Sequence, residues 1–347
     1  MKVRFWRYLP PEFSHRWAPA ALAIYRRLWA PLYEDCLWNP ISWGKDFYRN
    51  PLGIAGGFDK NAQMVDDLFR IGFGFVEVGT VTPLPQGPNP GNILDRDWRT
   101  RSLWNKMGFP NIGAEQVRKN LEGLSCKPGP VWVSLGKNRW TELEKSHHDF
   151  AFVAKTLNDV ADVFVINISS PNTQGLRKLQ GKEMLQPLIE EVKNVTNRPL
   201  LIKFSPDQTK EQFWEALDVA LASGISGIIV TNTTLRRTRP AHSTFKNNDS
   251  FEKILKKWPA TEGGISGGFL APFSEEFLLW AQEYRVKCAQ TFKIVSCGGI
   301  MTPEDVRNRL GMGADLVQVY SALVFEGFSF PKTVARWWHA QNQKIKK

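Results

Sequence analysis

Eight short apolar runs, each followed by a helical pattern, constrain the fold of this chain more than any other feature. The runs begin near residues 52, 75, 131, 163, 200, 227, 292 and 315. They are continuously apolar, which is typical of parallel strands buried on both faces. Eight such strands with intervening helices predict an α/β fold, a closed (β/α)8 TIM barrel.

The chain is long enough for one barrel with additions. It has 347 residues, whereas such barrels usually take about 250, and no Gly/Ser/Pro-rich linker divides it. We therefore predict a barrel over residues 46–347 and a helical extension over residues 1–45. An open doubly wound sheet also alternates strands and helices, but no G-x-G-x-x-G pattern follows any of these strands.

The charge balance favours an anionic surface as a partner. Lys and Arg exceed Asp and Glu by 45 to 34, a net charge of +11. Nucleic acid is not expected as a partner, because the chain has no zinc-finger spacing, RNA-recognition signature or long basic run. The four cysteines are far apart and form no C-x-x-C motif, so we expect no metal site and a reduced, intracellular protein.

Residues 1–45 read as two helices with aromatic and aliphatic residues on one side and arginines on another. This pattern is typical of a helix that rests on a membrane surface, although an ordinary helix packed over the barrel has the same composition. The longest apolar run near the start, residues 18–25, is too short to cross a bilayer. We predict no signal peptide.

Polar residues and glycines collect directly after the strands, where barrel enzymes place their chemistry. The stretch after the fourth strand is the densest: it carries five hydrogen-bonding side chains, Asn167, Ser169, Ser170, Asn172 and Thr173. Two Gly-rich segments, "GGISGG" at 263–268 and "CGGI" at 297–300, follow the sixth and seventh strands. Each alone could be a turn, but together they predict a phosphate site.

Two lysines and four amides extend the predicted site. Lys60 and Lys203 end apolar runs; they either snorkel to the surface or point inward, where they could stabilise a reduced flavin. Asn105, Asn167, Asn172 and Asn232 suit a ring with alternating C=O and N–H edges. Ser170 is the candidate base, although a hydroxyl needs help to lose its proton and a relay through Thr173 and a water is one option.

Seven ordered segments together resemble one enzyme family. "NPLGIAGGFDKN", "GFGFVEVGTVTP", "NKMGFPNIG", "NISSPNTQGLRKLQ", "VTNTT", "GGISG" and "ADLVQVYSALVFEG" are similar to dihydroorotate dehydrogenases of the membrane-associated, quinone-using class. The similarity runs from residue 51 to about residue 327. The N-terminal "PPEFSHRWA" also resembles the helical extension of that class, which the soluble classes lack.

The resemblance implies an FMN enzyme of pyrimidine biosynthesis that oxidises dihydroorotate to orotate. Ser170 matches the base that takes the C5 proton while hydride leaves C6 for flavin N5; the soluble classes carry Cys there. The implied substrate contacts are Lys60, Asn105, Lys106, Met107, Gly108, Phe109, Asn167, Asn172, Asn232 and Thr233. The implied FMN contacts are Gly56, Gly57, Phe58, Asp59, Lys60, Thr80, Asn167, Lys203, Thr231, Gly267, Gly299, Tyr320 and Ser321.

The resemblance also implies a quinone site at the N-terminal helices, where His15 and Arg96 match tunnel residues. It implies a peripheral protein on the cytoplasmic face of a bacterial membrane; a monomer is one oligomeric state that the sequence allows. The chain departs from the family at Ser134, where Asn is usual, at "GNILDR" before Lys106, and in a charged insert at 246–262. These departures keep two alternatives open: a soluble flavin oxidoreductase for another reduced pyrimidine, and an inactive membrane-associated barrel.

Overall fold

Eight parallel strands form a closed barrel in the computed structural model, which confirms the predicted fold. The structure describes residues 5–29, 36–125, 127–237, 252, 254, 256–259, 261–289 and 291–345. The barrel strands are β3 (Leu52–Asp59), β4 (Phe75–Val81), β7 (Val131–Leu135), β8 (Val163–Asn167), β9 (Leu200–Phe204), β10 (Gly227–Val230), β12 (Lys293–Cys297) and β13 (Leu316–Val319). Each pairs in parallel with the next along the chain, and β13 pairs with β3.

Helices lie between the barrel strands and at both ends of the chain. They are α1 (Pro11–Trp29), α2 (Val65–Arg70), α3 (Ala114–Glu122), α4 (Ser146–Leu157), α5 (Lys182–Lys193), α6 (Lys210–Ala222), α7 (Ala271–Lys287), α8 (Pro303–Gly311), α9 (Ser321–Glu326) and α10 (Phe330–Ile345). Short 3-10 helices cover Phe5–Tyr8, Leu176–Gln180 and Gly268–Leu270. Two helices begin with capping boxes, at Thr209 and Thr302, which satisfy backbone N–H groups at their first turns.

The period-2 alternation of the strands separates two cores. Outward residues such as Val76, Ile166 and Ile202 belong to the large core between strands and helices. Inward residues such as Phe75, Trp132 and Leu201 form a second cluster inside the barrel. Because inward positions recur every second residue, Glu77 lies directly above Phe75 on the same inner face.

A two-stranded antiparallel hairpin closes the amino-terminal end of the barrel. Its strands are β1 (Ile41–Trp43) and β2 (Asp46–Tyr48). Tyr48 is fully buried against Phe75 and Trp132, and Trp132 Nε1 donates a 3.3 Å hydrogen bond to Tyr48 Oη. This end is therefore apolar and packed, which leaves the opposite end for polar groups.

A three-stranded antiparallel sheet covers part of the carboxyl-terminal end. It consists of β5 (Leu94–Asp97), β6 (Ser102–Asn105) and β11 (Gly264–Gly267), with β6 in the middle. The "GGISGG" segment is thus largely a strand instead of a turn alone. The sheet brings Asn105 and Gly267 to the mouth of the barrel from two strands that are far apart in sequence.

The N-terminal helix α1 lies beside this mouth. Arg26 Nε forms a 2.8 Å ion pair with Asp67 Oδ1, and Tyr25 packs on Phe328. The second predicted helix falls partly on residues 30–35, which lie outside the described residues. Among the described residues, no helix is long and apolar enough to span a bilayer.

Candidate functional site

A deep cavity opens at the carboxyl ends of the barrel strands. Its volume is about 1060 Å³ when the open mouth is included. The floor is made by inward residues of the last strand turns, including Asn167, Lys203, Cys297 and Gln318. The β5–β6–β11 sheet contributes one wall through Leu94, Leu103 and other residues.

Most of the predicted site residues line this cavity together. They are Gly56, Gly57, Lys60, Thr80, Asn105, Met107, Gly108, Phe109, Asn167, Ser170, Asn172, Lys203, Thr231, Asn232, Thr233, Gly267, Gly299, Tyr320 and Ser321. They come from loops and strand ends between residues 56 and 321. The convergence predicted from the chain order is therefore present in the structure.

Three of the predicted substrate and FMN contacts do not line the cavity. Phe58 packs edge-on against Tyr320 at a ring separation of 5.5 Å. The carboxylate of Asp59 accepts backbone N–H groups of residues 61, 63 and 64, which fixes the loop after β3. Lys106 turns outward to a 2.6 Å ion pair with Glu262. Phe58 and Asp59 thus support the cavity from behind.

A hydrogen-bonded chain of amides and hydroxyls crosses the cavity floor. Asn167 Nδ2 donates to Thr80 Oγ1 at 2.7 Å, and Thr80 Oγ1 lies 3.0 Å from Ser134 Oγ. Asn232 Nδ2 donates to Asn167 Oδ1 at 3.2 Å and to Ser169 Oγ at 2.9 Å. Because each amide is oriented by its neighbours, the remaining donors and acceptors have defined directions.

Ser170 occupies the loop after β8, where a second polar pair faces the cavity. Its Oγ accepts the backbone N–H of Asn172 at 3.2 Å. Asn172 Nδ2 in turn donates to Asn105 Oδ1 at 3.0 Å. Thr173 Oγ1 is buried without a hydrogen-bond partner among the described residues. The loop therefore carries the buried hydroxyl of Ser170, whose oxygen already accepts a backbone N–H.

Arg177 ties the Ser170 loop to the loop after β10. Its Nε donates to Ser169 O at 3.0 Å and its Nη2 to Thr233 O at 3.1 Å. Nη1 forms a 2.6 Å ion pair with Asp207. The guanidinium thus fixes the separation of two loops that both line the cavity. The sequence did not predict this positioning role for Arg177.

Lys60 joins the cavity to the N-terminal helix. Its Nζ lies 3.2 Å from His15 Nε2 and donates to Gly57 O at 2.6 Å. Burial lowers the pKa of Lys60 to about 8, although Asp59 opposes the shift. The neighbouring Lys60, with a smaller effect of burial, lowers the pKa of His15 to about 3. His15 is therefore a neutral acceptor for the lysine at neutral pH.

Lys203 stands on the cavity floor above a buried carboxylate. Its Nζ is 3.7 Å from Glu77 Oε2. Burial alone would lower the pKa of Lys203, but Glu77 and the thiol of Cys297 oppose it and the pKa lies above its ordinary value. The orientation of Lys60 and Lys203, which the sequence left open, is inward for both.

The cavity can hold a flat cofactor with a phosphate. Gly267 and Gly299 have φ of +78° and +72°, and a Cβ would collide with Arg101 O at the first and with Ala271 at the second. Both precede the start of a long helix, α7 or α8. The buried Thr231 Oγ1 and Gln318 Oε1, which line the cavity, have no hydrogen-bond partner among the described residues. The unpaired buried polar atoms and the two lysines on one cavity are suited to a ring cofactor with hydrogen-bonding edges, such as a flavin.

A comparison with models of known protein families identifies one family. Residues 41–339 match the family model described as dihydroorotate dehydrogenase. The chain belongs to the dihydroorotate dehydrogenase family. This confirms the resemblance found in the sequence.

Relatives within the family carry a more specific name. A "dihydroorotate dehydrogenase (quinone)" of Nautilia profundicola is 37% identical over 91% of this chain and 85% of its own length. One from Thermosynechococcus vestitus with the same name is 39% identical over 86% of this chain and 80% of its own length. The solved structure of the family member from Eimeria tenella in complex with ferulenol covers 97% of this chain and 93% of its own, with a TM-score of 0.83 and 29% identity.

The departures from the family pattern have structural counterparts. Ser134, where the family usually has Asn, is fully buried and does not line the cavity; it supports Thr80 instead. Arg96, in the "GNILDR" departure, also lies outside the cavity lining. Its Nη2 donates to Trp6 O at 2.9 Å and also to Leu9 O. Arg96 thus fixes the N-terminal extension, while most of the charged insert lies outside the described residues.

Several site residues were not singled out from the sequence. Glu77 and Gln318 lie within buried strands and meet at the floor, and Cys297 lines the cavity beside them. The available signal was a charged or amide residue inside an otherwise apolar strand, since such groups are costly to bury without partners. That signal was present for Glu77 in "FVEVGT" and for Gln318 in "DLVQVY".

Proposed function

We propose that this protein oxidises (S)-dihydroorotate to orotate, with FMN as cofactor and a membrane quinone as electron acceptor, in the synthesis of UMP. One observation carries the proposal: Ser170, the four amides, both lysines and the paired glycines line a single cavity. The quinone-class names of the relatives support the acceptor.

The cavity residues fall into two groups, those that would bind FMN and those that would bind the substrate. Gly56, Gly57, Gly267 and Gly299 would admit FMN closely, and Lys203, Thr80 and Thr231 would orient it. Asn105, Asn167, Asn172 and Asn232 would pair with the C=O and N–H edges of the substrate ring, and Lys60 would balance its carboxylate. When bound, FMN supplies the acceptor for the hydride that leaves C6 of the substrate.

Ser170 would remove the proton from C5 of dihydroorotate. A serine hydroxyl is a weak base, so the site must favour negative charge on Oγ. The Asn172 N–H that donates to Oγ at 3.2 Å does this. Thr173 Oγ1, on the same loop and buried without a partner among the described residues, would take the proton onward through a water.

The N-terminal helix α1 supports membrane attachment. Phe13, Trp17, Ile24 and Leu28 recur at helical spacing and are exposed. Exposed arginines, at 16 and 27, flank this stripe. Such a helix would rest on an anionic membrane surface and admit a lipid-dissolved quinone beside His15 and Lys60. We place the protein on the cytoplasmic face of the membrane as a peripheral monomer, with residues 1–45 as the access segment.

The test is an anaerobic spectrum of the purified protein. We expect a yellow holoenzyme whose flavin band bleaches when dihydroorotate is added and returns when a short-chain ubiquinone follows. Replacement Ser170→Ala should slow bleaching by a factor of about 100 or more near neutral pH while FMN stays bound. The matched control Ser169→Ala removes the neighbouring hydroxyl, which is outside the cavity lining, and should bleach within about tenfold of wild type.

The alternatives predict other outcomes of the same experiment. A soluble oxidoreductase for another reduced pyrimidine would bleach little with dihydroorotate, and after reduction by its own substrate it would recover colour with NAD⁺ or fumarate instead of the quinone. An inactive barrel would be colourless and take up no FMN. Unchanged bleaching by Ser170→Ala would reject Ser170 as the base.

A further inference from the structure

Glu77 is a carboxylate that the proposed reaction does not use. It lies on the inner face of β4 and is fully buried. Gln318 Nε2 donates to its Oε2 at 2.7 Å, and Lys203 Nζ is 3.7 Å from the same oxygen. Its Oε1 has no hydrogen-bond partner among the described residues. A buried charge of this kind is costly unless it is paired and hydrogen-bonded.

Stability alone does not account for the pair of Glu77 and Lys203. Buried ion pairs are often no more stabilising than apolar side chains of the same size. The surrounding inward positions one layer below, Phe75 and Leu201, are apolar. An apolar pair at 77 and 203 would therefore continue an existing core, and the charges need another reason.

The position of the pair relative to the cavity supplies that reason. Lys203 lines the cavity, whereas Glu77 is screened from it by Gly56, where a Cβ would collide with Glu77 Oε1. Only the ammonium therefore faces a bound ligand, and the carboxylate stays behind it. Glu77 can influence a ligand through Lys203, through Gln318, which it also contacts and which lines the cavity, or through the cavity shape.

We propose that Glu77 is a positioning residue that keeps the ammonium of Lys203 charged and fixed on the cavity floor, where it meets the electron-rich ring of bound flavin. The proposal rests on the proposed function, because it assumes that FMN occupies the cavity. Burial lowers the pKa of Lys203, and without Glu77 only Cys297 opposes this effect. Lys203 then releases its proton at a lower pH. Flavin binding then becomes sensitive to pH.

The groups around Lys203 define the measurement. Glu77 and Cys297 face it, and the charge of Arg309 on α8 acts electrostatically on Cys297. Lys60 lies on the same cavity and its pKa of about 8 falls in the same range. Each variant is therefore compared with wild type at the same pH, so that the titration of Lys60 and of FMN itself cancels.

The experiment follows FMN release from diluted holoenzyme by its fluorescence between pH 6.5 and 9.5. For Glu77→Gln we expect the ratio of its Kd to the wild-type Kd to rise by about tenfold or more across this range, the effect of losing a charge-assisted hydrogen bond. A ratio that is constant across pH, whether near one or uniformly high, would overturn the proposal, since it would indicate a structural role or none.

A second background keeps the proposal testable if Glu77→Gln does not fold. In Lys203→Met protein, the further change Glu77→Gln should alter the FMN Kd by no more than about twofold and add no pH dependence, because the lysine that transmits the effect is gone. A change of tenfold or more would show that Glu77 acts by another route. Absence of FMN from wild-type protein would instead reject the proposed function.

Discussion

At the scale of single residues, the most unusual group is the ammonium of Lys60. It is enclosed by His15, Gly57 O and the cavity wall, and burial lowers its pKa to about 8, from about 10.4 in an unfolded chain. Between these values the unfolded chain holds a proton that the folded protein has released. The contribution of Lys60 to the free energy of unfolding therefore rises with pH over this interval.

The first prediction concerns Lys60→Met in flavin-free protein. We expect the variant to be more stable than wild type at pH 7, where wild type must bury a charge, and to lose most of that advantage by pH 10. Urea denaturation at both pH values measures the difference. The exposed neighbour of the site loop, Lys178, gives the control: Lys178→Met should shift stability equally at both. A difference for Lys60→Met that does not change with pH would contradict the assignment.

The placement of residues on the cavity could be predicted from the sequence where the signal was local. The dense polar stretch after β8 predicted that Asn167, Ser170 and Asn172 lie together, and all three line the cavity. It did not identify the contact between Glu77 and Gln318, which are 241 positions apart. The direction of a side chain across a barrel depends on the register of strands, and a register is not visible in a single strand.

At the scale of elements, α1 presents two faces with different chemistry. Leu22 is buried, and Arg26 pairs with Asp67 on the barrel side. Trp17 and Ile24 on the other side are 53% and 61% exposed. An apolar stripe of this kind is uncommon on a soluble surface and is suited to a lipid interface.

The second prediction is that this stripe binds membranes. Trp17→Glu together with Ile24→Glu should weaken co-sedimentation with vesicles containing anionic lipid by about tenfold or more, since burial of each side chain contributes about 1.5–3 kcal/mol. Bleaching by dihydroorotate should not change. The control Trp140→Glu places the same charge on a residue that is 61% exposed away from α1. Equal binding by all three proteins would exclude α1 as the membrane contact.

The elements that the sequence did not predict are short and antiparallel. The β1–β2 hairpin and the β5–β6–β11 sheet have strands of three or four residues. Strand β11 contains two glycines in four residues, a composition typical of turns. The barrel strands were predictable because both faces of each are buried and the runs are almost entirely apolar. The additional strands depend on tertiary packing against the barrel, which their own sequences do not show.

At the scale of the whole molecule, the barrel interior is divided along its axis. The amino-terminal half is filled by Phe75, Trp132 and Tyr48 in direct ring contact. The carboxyl-terminal half carries Glu77, Lys203 and the polar floor. Stability and chemistry are thus assigned to opposite ends of one cylinder, as in other barrels of this architecture.

This division yields the last prediction, for Trp132→Ala. Removing a fully buried Trp from a ring cluster should lower the free energy of unfolding by about 3–5 kcal/mol, because the neighbouring rings cannot fill the space. The FMN Kd of the folded variant should stay within about twofold of wild type, since Trp132 does not line the cavity. Denaturation and flavin fluorescence measure the two effects separately. Trp140→Ala, at an exposed site, should leave both unchanged within about 0.5 kcal/mol. If Trp132→Ala weakened flavin binding as strongly as it destabilised the fold, the two halves of the barrel would be coupled and the apolar end would be part of the site.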